Sequence, residues 1–391
     1  MIELKDKYIA HDNEVKEILK ETFEFRNKNA AVVINDVNYW TFGELIENIP
    51  EDYYEDDPGV MMHYQLKKIE RHYDYFGTSD CYLGFLMPWY GTGVLASGFG
   101  IPIIKNFKQD PAVDISPIKE PSAIKKLELP DPNQDGLMPQ VIKTLKYFKE
   151  NCDLPRGVTD CQGPLTSALS VVGYDNFSYW MYDYPNLIHE LMDKVTEALR
   201  QWVKFQKAIA DIPLETESYP LGVRMPEGYG GVWISDDDAV IMGTEHYREF
   251  VVPYNSRILK SFGGGCIHYC GNATQHIDNY VNTEGLTAVN NLNLDGIEAA
   301  SKMRKALQKK GIIYMACDFI PTEERMERYY QELIDSMGDQ IGLIIVPYVA
   351  PAVALEDGRY NESHRDQFEL GKKVKQFIDR ELRLKSYRIS T

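Results

Sequence analysis

His268 and Cys270 stand two residues apart at the end of one apolar run, and Cys317 closes a second. Residues two apart on a β-strand project from the same face, so His268 and Cys270 can converge on one ion. Thiolate and imidazole are ligands that suit Zn²⁺, and three protein ligands leave a tetrahedral ion one open position. An ion of that kind lowers the pKa of whatever it binds. With two cysteines among its ligands it favours holding a nucleophilic thiolate over activating water. The competing reading is that these are ordinary core residues, since free cysteine is among the most buried residue types. Cys317, at the same place on its strand as Cys270, tips the balance toward a metal centre.

The elements that must position these residues begin at Asp80, where short apolar runs alternate with longer amphipathic segments. Strands are expected at Cys81–Met87, Gly157–Cys161, Gly230–Ser235, Gly265–His268, Thr287–Leu292, Ile312–Ala316 and Ile341–Val346. Helices are expected over Leu165–Val172, Pro185–Ala210, Thr244–Phe262, Ile297–Lys310 and Thr322–Met337. This βα repetition predicts an α/β fold, a single (β/α)₈ TIM-type barrel over residues 80–391, with residues 1–79 as an N-terminal helical extension or cap. In such barrels the active site lies at the C-terminal ends of the strands, where His268, Cys270, Cys317, Asp236 and Gln162 all fall. Gly263-Gly264-Gly265 is expected to turn the chain tightly into the ligand-bearing strand.

Asp236, Asp237 and Asp238 form an acidic triplet after the third strand. One of them is a candidate partner for His268 or a resting fourth ligand, with Asp295 and Glu298 competing for that role. Asp236 and Gln162 are the candidate catalytic residues, although an acidic triplet is more often a helix cap and Gln162 can serve the turn alone. His276 is expected to be solvated or to stand behind the ligands. Trp89, Tyr90, Trp233 and Tyr348 fall near strand-end loops and are candidates to shape a wide cofactor-docking mouth, against the plainer alternative of core packing.

The run Cys266-Ile267-His268-Tyr269-Cys270-Gly271-Asn272, with Cys317 one strand and helix later, resembles the zinc-binding His-x-Cys and distal Cys of the corrinoid-dependent methyltransferases in the uroporphyrinogen decarboxylase superfamily. Gln162-Gly163-Pro164 resembles that superfamily's Gln-Gly-Pro turn, and the segment Phe250–Tyr254 is also similar. The resemblance implies transfer of a methyl group from methylcobalamin, carried on a cognate corrinoid protein, to a small acceptor such as coenzyme M, another thiol or a tetrahydrofolate. The decarboxylases themselves carry an N-terminal arginine-rich segment for substrate carboxylates. Between Glu51 and Cys81 this chain has only Arg71. A metal-free lyase of that type, and a non-catalytic barrel that only binds a corrinoid protein, are the alternatives.

Composition narrows the remaining classes. A formal net charge of −17 disfavours nucleic acid and anionic membranes as partners. No apolar run approaches a membrane span, and Met1–Ala10 lacks a signal-like core, so a cytoplasmic protein is expected. Six cysteines in 391 residues are too sparse for a disulfide framework. Gly98-Phe99-Gly100 lacks the later glycine of a dinucleotide fingerprint.

Overall fold

The computed structural model describes residues 6–36, 52–77, 80–105, 110–216, 218–349 and 364–390. Its strands are β1 (Ala31–Val32), β2 (Asn35–Asp36), β3 (Ile103–Ile104), β4 (Ala112–Val113), β5 (Val232–Ser235), β6 (Gly265–Cys270), β7 (Leu286–Leu292), β8 (Ile313–Phe319) and β9 (Leu343–Val349). One parallel sheet runs β1-β9-β8-β7-β6-β5, with β2 also on β9, while β3 and β4 form a separate antiparallel pair. Between β5 and β1 the ring is carried by one or two bonds at each junction instead of ladders. Ser235 N–H donates to Cys161 O at 2.9 Å, Gly157 N–H to Leu86 O at 2.8 Å, and Cys81 N–H to Val32 O at 2.8 Å. The stretches 81–86 and 157–162 therefore stand where strands of a TIM-type α/β barrel would stand.

Two expectations change at this point. In place of strands, the stretches Cys81–Met87 and Gly157–Cys161 lead to isolated bridges, Leu86 to Arg156 and Gln162 to Ser235. Residues 31–36 lie within the stretch read as a cap, yet they pair with β9, so residues 1–79 supply a barrel strand as well as helical cover. A strand of two residues has too little alternation to be read from sequence.

Side-chain alternation on the strands separates two apolar layers. Trp233, Cys266, Ala288, Met315, Cys317, Ile344, Val346 and Tyr348 point inward and pack together. Ile234, Ile267, Tyr269, Val289, Tyr314, Ala316 and Ile345 point outward beneath the helices. The helix Ile297–Gln308 answers them with buried Ala300, Met303, Arg304 and Leu307, the spacing of one helical face. Helix Glu323–Ser336 does so with Met326, Tyr330, Leu333 and Ile334, and its Glu323 and Glu324 sit at the positive end of the helix dipole. The expected single helix Thr244–Phe262 is two, Thr244–Phe250 and Val252–Lys260, broken at Val251 where Pro253 begins the second.

Glycines serve at both ends of the barrel. Gly263 and Gly264 adopt φ of +71° and +113°, conformations that favour glycine, and deliver the chain into β6 as the sequence predicts. Gly163 brings its N–H to 2.6 Å from Ser235 O, and a Cβ there would meet that same oxygen at 3.0 Å. Pro164 then opens helix Pro164–Val172 at a position that needs no N–H donor. The Gln-Gly-Pro turn is thus a close splice onto the end of β5.

Candidate metal centre

Register puts the polar residues of the mouth in two rows. Ser235, His268, Asn290 and Met315 are successive partners across β5 to β8, and Cys270, Leu292 and Cys317 form the row above across β6 to β8. His268 and Cys270 are therefore one step apart on the inner face of β6. Over the end of the neighbouring β5 the chain bends into the 3-10 turn Asp237–Ile241, which carries Asp237 toward them.

Asp237, His268 and Cys270 converge, with one ligand atom from each lying within 4.8 Å of the other two. Cys270 Sγ is 3.6 Å from His268 Nε2, and Asp237 Oδ1 is 3.4 Å from the same nitrogen. Bonds of about 2.3 Å to sulfur and about 2.0–2.2 Å to nitrogen and oxygen, at a tetrahedral angle, separate S and N by about 3.6 Å and N and O by about 3.4 Å. The observed spacings match both values. Asp237 Oδ1 is moreover buried without a well-formed hydrogen bond, an oxygen that a cation would satisfy. The donor set and its spacing fit zinc.

Asn290 fixes the histidine. Its Oδ1 lies 2.7 Å from His268 Nδ1 and its Nδ2 donates to Cys317 Sγ at 3.2 Å. With Oδ1 accepting, the proton of a neutral imidazole belongs on Nδ1, and Nε2 presents its lone pair to the cluster. Burial disfavours the imidazolium, but the Asp237 carboxylate outweighs it and holds His268 protonated well above the ordinary histidine range. Burial likewise acts to raise Asp237, and His268 more than reverses this, leaving the carboxyl below its ordinary value. Burial pushes the Cys270 thiol up against the pull of His268, and the Cys317 thiol is raised further, again by burial first.

The residues singled out from sequence divide clearly. His268 and Cys270 meet; Cys317 does not join the cluster. It sits two strands from Cys270 with Leu292 between them in register, its thiol resting against Asn290. Asp237 takes the third position because it arrives from the adjacent stave. Asp236 turns away: its Oδ2 accepts from Tyr247 Oη and from Asn255 Nδ2 at 2.9 Å, and burial lifts its carboxyl to about 7. Asp295 is exposed, and Glu298 is exposed and paired with Lys302 at 2.8 Å, so neither reaches the histidine. His276 is fully buried, not solvated, and its Nε2 bonds Ala239 O at 2.8 Å, steadying the turn that bears Asp237.

Gln162 is buried and donates through Nε2 to Asp160 Oδ2 at 2.6 Å. Burial pushes Asp160 up to about 7 against that hydrogen bond, and the carboxyl also feels Asp237, His268 and Asp110. The four aromatic candidates for a docking mouth are instead core: Trp89, Tyr90, Trp233 and Tyr348 are each no more than 3% exposed, and Tyr90 Oη bonds Thr144 Oγ1 at 2.8 Å. Asn290 and Asp160 escaped the sequence reading, and Asp237 entered it only as one of the acidic triplet. For Asn290 the signal was present, a polar side chain at an inward position of an apolar strand.

A TIM-type barrel with a three-donor centre at the C-terminal ends of its strands is the class of protein that fold and site define. Residues 89–213 match the uroporphyrinogen decarboxylase family model, and the chain resembles that superfamily. Among solved structures it is similar to a methyltransferase from Methanosarcina mazei, at 17% identity and a TM-score of 0.66, over 94% of this chain and 98% of that one. No curated protein sequence matches. No helix among the described residues is long and apolar enough to cross a membrane.

Proposed function

We propose that this chain is a zinc-dependent methyltransferase that moves a methyl group from a methylated corrinoid, carried by a cognate corrinoid protein, to a thiol or similar small acceptor. The observation that carries this reading is the convergence of Asp237, His268 and Cys270 at the barrel mouth, with the sulfur and the carboxylate oxygen 3.6 and 3.4 Å from His268 Nε2. A zinc ion held there supplies a site at which an acceptor thiol is bound as thiolate. His268, through Nε2, and Cys270 are the fixed pair. Asp237, half-exposed and the hard oxygen of the set, would be the least firmly held of the three ligands. Cys317 stands outside this set, its thiol against the Asn290 amide that orients His268. Asp160, poised near neutrality, takes the proton that the acceptor sheds.

The resemblance to a methyltransferase fold supports the reaction class, and the acidic surroundings weigh against the metal-free lyase. Among the charges acting most strongly on Asp160 are Asp237 and Asp110, against the single cation His268. A decarboxylase for polycarboxylate substrates needs the opposite charge. The test is elemental analysis of purified protein under reducing conditions, joined to a methylcobalamin demethylation assay with a panel of thiols that includes coenzyme M. About one zinc per chain and thiol-dependent demethylation are expected. Protein that never holds zinc, or holds it without demethylation, overturns the assignment.

A further inference from the structure

A cavity of about 230 Å³ opens beside the acidic turn, between helices Pro164–Val172 and Tyr174–Asp183 and the segment 238–246. Its walls include Tyr174, Phe177, Tyr182, His246 and Met242, and Asp238 stands behind them. The ring centroids of Tyr182 and His246 are 5.0 Å apart, edge to face. Tyr174 and Tyr182 are 51% and 69% exposed, a cost in water that a bound molecule would recover. Asp238 is 8% exposed; its Oδ1 accepts from Tyr174 Oη at 2.5 Å, and its Oδ2 is buried without a hydrogen-bond partner.

We propose that this cavity is a second ligand site, distinct from the metal centre, and that it takes a small alkylated ammonium compound. Aromatic walls attract a cation through their π faces and need no N–H donor from it. The hydrogen bond from Tyr174 to Asp238 draws electron density toward that ring, and the unpartnered carboxylate oxygen leaves net negative charge directly behind the box. A neutral molecule of the same shape would gain the apolar contact and nothing from this charge. An anion would be repelled. Asp238 directly follows Asp237, so the occupied box and the metal centre share one turn of chain. The ligand class is nonetheless read from the box alone and does not rest on the methyltransferase assignment.

Calorimetric titration with choline and with its neutral isostere 3,3-dimethylbutan-1-ol tests this. It is run on wild type, Asp238→Asn and Tyr182→Ala, each with and without zinc. Saturable choline binding is expected, at least tenfold tighter than the isostere, weakened about tenfold by either substitution and unaffected by stripping the metal. Tyr182 is largely exposed, so its variant keeps the test alive if Asp238→Asn misfolds. Equal binding of the two probes would reduce the site to an apolar cleft and overturn the proposal. So would the absence of saturable choline binding by folded wild type at tens of millimolar.

Discussion

Replacing Asn290 by alanine should weaken zinc binding without removing a ligand. His268 is 4% exposed, and its Nδ1–H has Asn290 Oδ1 as its partner at 2.7 Å. Deleting that partner leaves a buried donor unsatisfied, a cost of about 1–3 kcal/mol, and frees the ring to place its proton on Nε2 instead. Loss of an outer partner to a metal-bound histidine typically lowers affinity about 10- to 100-fold, or about 1.4–2.7 kcal/mol. The first is a cost to the fold, and the second is the loss of zinc affinity that the assay reads. The control lies one residue on. Asn291 faces outward and donates to Tyr314 Oη at 3.0 Å, so Asn291→Ala should lower the melting temperature and leave zinc affinity alone. Chelator competition on both variants, with folding checked by circular dichroism, is the assay. Wild-type zinc affinity in folded Asn290→Ala would refute the assignment of Nε2 as a ligand oriented by this amide.

The ligand hierarchy gives a further contrast: Cys270→Ser should abolish stoichiometric zinc and demethylation, whereas Cys317→Ser should retain much of the zinc, measured by elemental analysis and assay. Equal loss of zinc would place Cys317 beside Cys270 as a primary ligand. Zinc affinity should also climb with pH through and above neutrality, because Asp237 raises the His268 pKa and a proton competes at Nε2. In zinc-free protein that raised pKa contributes stability fully present below about pH 6.5 and lost as pH rises through the folded value. Melts at pH 6 and pH 8 should therefore differ more for wild type than for His268→Gln. Lys207 is buried and its ammonium donates to the carbonyls of Pro213, Leu214 and Thr216, at 3.3, 3.1 and 3.0 Å. Lys207→Met should cost about 1–3 kcal/mol by chemical denaturation, and an unchanged midpoint would show those bonds to be dispensable.

Five strands of the barrel were legible because β5 to β9 are apolar runs ended by polar loops, and the His-x-Cys pair was legible because both residues lie on one strand. What failed depended on direction. Asp236 and Asp237 are neighbours of the same chemistry, and only the bend of a short 3-10 turn decides which one faces His268. Cys317 matched Cys270 in height along the barrel, but sequence does not show that an intervening strand holds the two apart. The aromatic residues near loop boundaries looked like surface; their burial follows from packing between elements far apart in the chain.

The paired asparagines of β7 also act as a check on how the barrel is assembled. The strand reads Leu-Thr-Ala-Val-Asn-Asn-Leu, and its apolar residues on the two faces are similar enough that hydrophobic pattern alone would tolerate a slip of one position. Such a slip would carry Asn290 out among the helices, away from His268 and Cys317, and would swing Asn291 into the barrel, away from Tyr314. In either direction one amide lands in its neighbour's former place, while the other is buried among groups that cannot answer it. A misaligned strand is thus penalised on one face or the other, so the feature that tunes the histidine also helps to fix the alignment on which the site depends.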